Sequence, residues 1–109
     1  FCILSFARSY FFKEVIMAQK LTDTQIEKGI AELRGWFIEG NSIKKSFSLD
    51  DHIVAMGFVN RIAMVAEVMN HHPEIQMVYN KVAITLSTHD AGGVTELDLE
   101  LAQKIEAYF

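Results

Sequence analysis

Apolar positions along the chain recur with two periods, 3.6 and 2, and the switches between them mark out seven elements. Ile26, Ile30 and Leu33 repeat at helical spacing, Thr22 and Gln25 before them have the form of a capping box, and Gly35 closes this first predicted helix. Runs from Trp36 to Glu39 and from Ser42 to Leu49 flank Gly40-Asn41; Ile43, Lys45, Phe47 and Leu49 share one face, which predicts a hairpin whose apolar row is broken at Lys45. Ser48-Leu49-Asp50-Asp51 then supplies capping side chains and early negative charge. Ala55, Phe58, Val59, Ile62, Ala66 and Met69 follow as the wide stripe of a long helix that ends at Asn70. Pro73 forces His72 into extended geometry. Two strands are predicted next, Glu74 to Tyr79 with Ile75, Met77 and Tyr79 on one side, and Lys81 to Thr88 with Val82, Ile84 and Leu86, joined at Asn80-Lys81. Asp90-Ala91-Gly92-Gly93 reads as a loop whose glycines accept positive φ, and Thr95 with Asp98 opens a last helix with Leu97, Leu101, Ala102, Ile105 and Tyr108 inward.

The resulting order, α-β-β-α-β-β-α, implies an α+β domain: a four-stranded antiparallel sheet with three helices on one face. With 109 residues, one domain suffices. Residues 17–109 are read as that domain and residues 1–16, FCILSFARSYFFKEVI, as an N-terminal extension, since Met17-Ala18 has the look of an ordinary start. Arg8 and Lys13 interrupt the apolar run of the extension, which is also shorter than the roughly 20 residues of a membrane span; an organelle-targeting peptide is the alternative reading. Half the residues are apolar and the net charge is -4, so no nucleic-acid footprint is present and no membrane partner is expected. Lys44-Lys45 is the only adjacent basic pair and reads as a solvated strand face. The single cysteine, Cys2, offers neither a disulfide framework nor a thiolate metal site, and a cytoplasmic location is expected.

His71, His72 and His89 carry the candidate chemistry. They admit a zinc site, although adjacent histidines seldom both face one ion. They suit acid-base work better, because an imidazole pKa near about 6.5 lets one ring donate while another accepts. A structural reading also stands, in which His71 and His72 cap a helix and His89 ends a strand. Glu67 sits an i, i+4 step before His71, so the two can meet if the last turn persists. Asp98 reads equally as a helix-opening acid and as a site residue. Trp36 and Tyr79 read as partly buried core or interface aromatics, and His52 as surface. The Gly-Gly pair lacks the context and lysine of a phosphate loop.

Glu67, three residues, His71-His72-Pro73, five residues, Tyr79, nine residues, His89, eight residues and Asp98 form a spacing that resembles the signature of the pterin-4a-carbinolamine dehydratase family. The layout from about Leu21 to Tyr108 is similar as well. The resemblance implies dehydration of 4a-hydroxytetrahydropterin to quinonoid dihydropterin in tetrahydrobiopterin recycling, with no metal and no cofactor. It implies His71, His72 and His89 as catalytic residues, and Glu67, Pro73, Thr88, Asp90 and Ala91 beside them as pterin-binding residues, with Glu67 orienting a histidine. Homodimers or homotetramers are implied, with the sheet extended by a second subunit. Asn70 stands where many animal members have Asp, Ala91 where they have Cys, and Ile75 where a tryptophan is common; Asn70, Ala91 and the Gly-Gly pair make the chain more similar to bacterial and plant-like members. The competing expectation is a protein-binding module, either a dimerisation cofactor of a transcription factor or an assembly chaperone, against which the intact histidine set argues.

Overall fold

The computed structural model describes residues 19–109; the predicted extension, residues 1–16, lies outside the described residues. Helix α1 (Asp23–Ile30) leads to strands β1 (Phe37–Glu39) and β2 (Ser42–Ser48), the long helix α2 (His52–Met69), strands β3 (Glu74–Val78) and β4 (Lys81–Leu86), a 3-10 turn (His89–Ala91) and helix α3 (Glu96–Tyr108). The strands form one antiparallel sheet in the order β1-β2-β4-β3. Both the element order and the α+β class predicted from periodicity are found.

The caps explain where the helices start. Thr22 and Gln25 close the predicted capping box on α1, Asp51 accepts the Val54 N–H at 2.8 Å to start α2, and Thr95 with Asp98 closes a second capping box on α3. Helix α1 ends at Ile30, short of Gly35, because the Leu33 N–H donates to the Ile30 carbonyl and the tighter turn swings Leu33 onto the core. Gly35, at φ 87°, then reverses the chain into Trp36.

In the sheet, Ile43 faces Leu86, Phe47 faces Val82, and Ile75 faces Ile84 across the ladders, so one face is apolar except at Lys45. Onto it α2 presents Ala55, Phe58, Ile62, Ala66 and Met69, and α3 presents Leu97, Leu101, Ala102 and Ile105, all buried. Helix α2 is long and apolar enough, by length and composition alone, to cross a membrane. Its apolar stripe is accounted for here by the sheet.

Three expectations are corrected. Tyr79 leaves the inward row: it occupies the two-residue β3–β4 turn with Asn80, at φ 56°, and is 65% exposed, because a hairpin this short needs a residue of positive φ. Tyr108, at the last turn of α3, is also exposed. Lys45 is not part of a solvated face. Its Nζ lies 4.6 Å from the Phe47 ring centre and donates to Glu106 Oε2 at 2.7 Å, and the same oxygen accepts the Trp36 indole N–H at 2.9 Å. A lysine is tolerated in the apolar row because α3 brings a carboxylate to meet it. Removing only the carboxylate leaves two half-buried donors unpaired, so Glu106→Ala is expected to cost about 1–3 kcal/mol in urea unfolding. Lys45→Met combined with Glu106→Leu should recover only the lysine's share of that loss, since the ion pair is then replaced but the Trp36 indole N–H still lacks its acceptor.

Candidate active site

The end of α2 determines where the histidines go. Asn70 adopts the left-handed conformation, φ 51° and ψ 42°, and its N–H closes back on the Ala66 and Glu67 carbonyls. The His71 N–H still bonds the Ala66 carbonyl at 3.0 Å, but the chain has left helical geometry. The expected Glu67–His71 contact is therefore absent. Glu67 instead reaches the next residue: the His72 Nε2–H donates to Glu67 Oε1 at 2.8 Å, with both side chains largely exposed.

His71 turns inward. Its Nε2 lies in hydrogen-bond contact with Asp98 Oδ1 at 2.5 Å, and Asp98 is fully buried. The other carboxylate oxygen accepts the Thr88 hydroxyl at 2.8 Å and the Thr95 N–H at 2.9 Å. Asp98 is thus the helix-opening acid and, from beneath the cavity, the hydrogen-bond partner of His71.

His89 arrives from the other side. After β4, Thr88 pairs with Gly93 as an isolated bridge, and the loop between them is pinned by the Thr88 N–H to Gly93 carbonyl bond of 2.9 Å. Gly92 takes φ 76°, as expected of this loop, whereas Gly93 does not and is instead tightly covered by the Lys20 side chain. His89 opens the 3-10 turn and is exposed.

Asn70, His71, His72, Ser87, Thr88, His89, Asp90 and Leu97 line one cavity of about 290 Å³. It thus gathers His71, His72, His89, Thr88 and Asp90 from the candidate set. Pro73, Ala91 and Glu67 do not line it; Glu67 acts on it through His72. Ser87 and Leu97 were not singled out from the sequence: Leu97 reads as core, and Ser87 carries no local signal. His52 is exposed, yet its Nδ1–H donates to the Tyr79 carbonyl at 2.8 Å and ties the start of α2 to the hairpin turn. Among the described residues no three His, Cys, Asp or Glu side chains converge to hold a metal ion.

A cavity rimmed by three imidazoles, one backed by a buried carboxylate, has the groups that proton transfer needs. Fold and cavity together define a small α+β domain with one polar pocket rimmed by histidines. Residues 19–108 match the family model described as pterin 4 alpha carbinolamine dehydratase, and the chain belongs to that family. A relative in Sulfurisphaera tokodaii, provisionally named pterin-4-alpha-carbinolamine dehydratase, is 46% identical over 88 residues, which are 81% of this chain and 95% of the relative. One from Cyanothece, with the same provisional name, is 47% identical over 89 residues, 82% of this chain and 92% of its own. Among solved structures, a transcriptional coactivator/pterin dehydratase from Brucella melitensis superposes with a TM-score of 0.80 at 39% identity, covering 83% of this chain and 98% of that one. A pterin dehydratase-like RuBisCO assembly factor of the alpha-carboxysome shares the fold, with a TM-score of 0.59 at 22% identity over 70% of this chain and 90% of its own.

Proposed function

We propose that this protein dehydrates 4a-hydroxytetrahydropterin to quinonoid dihydropterin, in tetrahydrobiopterin recycling. The C4a–O bond breaks, the hydroxyl leaves as water after gaining a proton, and a ring N–H proton is given up. One acid and one base are needed, and no redox partner. The observation that carries this reading is the convergence of His71, His72 and His89 on one cavity. His71 and His89 supply the acid and the base from its two sides. His72, exposed and held by Glu67, serves binding more than proton transfer. Thr88 and Asp90 complete the polar wall. The test is loss of the 4a-carbinolamine absorbance on adding purified protein; a rate no faster than the spontaneous reaction would exclude the activity.

A second reading, association with protein, is favoured by the outer face of α2, where Ile53, Met64 and Val68 are 81%, 66% and 69% exposed. Apolar groups so placed are commonly interface groups, and β1 and β3 leave unpaired sheet edges. We propose copies of this chain as the occupants, in a homodimer or homotetramer that retains the enzymatic site. Sedimentation is expected to show a dimer or larger species at micromolar concentration, and Val68→Asp to shift it toward monomer. A stable monomer at that concentration would count against assembly.

A further inference from the structure

We infer that Asp98 is a positioning residue for His71, holding the imidazole in the tautomer protonated on Nε2, so that Nδ1 is the nitrogen that takes or gives a proton in the cavity. The inference deepens the dehydratase reading and, in its catalytic half, rests on it.

The tautomer follows from counting hydrogens. Thr95 Oγ1 caps α3, where it accepts the Leu97 N–H at 3.2 Å and, in the capping box, the Asp98 N–H. Both lone pairs are then used, so the Thr95 hydroxyl must donate, and Thr88 Oγ1 lies 2.7 Å away to accept. Thr88, having accepted there, donates its own hydrogen to Asp98 Oδ2 at 2.8 Å. The same Oδ2 accepts the backbone N–H of Thr95, a donor that cannot reverse. Each hydrogen in the cluster therefore points toward the carboxylate. Its remaining oxygen, Oδ1, faces His71 Nε2 at 2.5 Å and takes the N–H from it. Nδ1 has no hydrogen-bond partner among the described residues, and His71 lines the cavity. When one imidazole nitrogen is committed as a donor, the other is left as the acceptor in the neutral ring and the second donor in the charged ring. Asp98 is fully buried, so this orientation is held away from competing water.

Asp98→Asn tests the assignment with almost no change of shape. The Thr95 N–H requires the amide oxygen on its side, which turns the amide NH2 toward His71. The imidazole must then accept on Nε2 and carry its proton on Nδ1, the reverse of the wild type. The readout is long-range 1H–15N correlation of imidazole-labelled, ligand-free full chain in alkaline buffer, with the His71 signals identified by their loss in His71→Gln. Nε2–H is expected in the wild type and Nδ1–H in Asp98→Asn. The kinetic counterpart is a fall in kcat of about 10²- to 10⁴-fold with little change in KM. Nδ1–H in the wild type, an unchanged tautomer in the variant, or an undiminished kcat would each overturn the inference. The wild-type spectrum decides the tautomer even if the variant does not fold. A wild type that leaves the carbinolamine untouched while the tautomers behave as expected would remove the dehydratase reading and leave the positioning of His71 by Asp98 standing.

Discussion

His71→Ala is expected to lower turnover of 4a-hydroxytetrahydropterin by about 10²- to 10⁴-fold, the usual contribution of one general acid or base. His89→Ala should fall in the same range. The two rings reach the cavity from different elements, the exit of α2 and the 3-10 turn after β4, so in the proposed reaction each is expected to serve its own side of the substrate. Loss of both should cost more than the product of the single effects, because in each single variant the remaining ring takes over part of the proton traffic. His72→Ala should raise KM more than it lowers kcat. His71→Ala also leaves the buried Asp98 carboxylate one donor short, at about 1–3 kcal/mol of stability, so turnover must be measured well below the melting temperature of the variant. A double variant, His71→Ala with His89→Ala, that turns over at the wild-type rate would remove both histidines from the mechanism.

Periodicity carried the architecture because each strand and helix buries one face. Val82, Ile84 and Leu86 alternate with less buried neighbours, and Phe58, Ile62, Ala66 and Met69 repeat along α2; in both cases the buried residues are the ones the pattern selects. The caps were legible for a similar reason, being contacts between residues two or three apart. What stayed hidden were pairings across long sequence separations. Trp36 and Glu106 are 70 residues apart, and nothing near Lys45 announces that a carboxylate will cover it. The site turned on one backbone conformation. An α-helical step rotates a side chain by about 100°, so whether the helix stops at Met69 or continues one residue further decides which imidazole Glu67 meets. Asn70 in the left-handed region stops it, sends His71 to Asp98 and gives His72 to Glu67. Spacing alone placed His71, His72 and His89 near one another but offered Glu67 the wrong imidazole and gave Asp98 no partner.

Phe58→Ala is expected to produce the largest loss of stability among single core changes. Phe58 is fully buried, with its ring centre 5.0 Å from that of Phe47 on β2 and 5.8 Å from that of Phe109 beyond α3. It is thus the point where the sheet, α2 and the end of α3 meet. Truncating a phenylalanine in such a place removes transfer energy and leaves a cavity, together about 3–5 kcal/mol. Small domains hold about 5–15 kcal/mol in total, so the loss is a large share of what keeps the chain folded. With a urea slope of about 1–3 kcal/mol per molar, the midpoint should fall by about 2 M at an unchanged slope. Phe58→Leu should lose less, because the larger side chain leaves a smaller void. His71 and His72 lie beyond the far end of α2, thirteen or more residues after Phe58 and behind the Ala66–Asn70 turn that aims them. Turnover per folded molecule at low temperature should therefore stay close to the wild type. A variant that is folded by circular dichroism yet turns over 10-fold or more slowly would show that packing at Phe58 sets the aim of His71 as well as the stability of the domain.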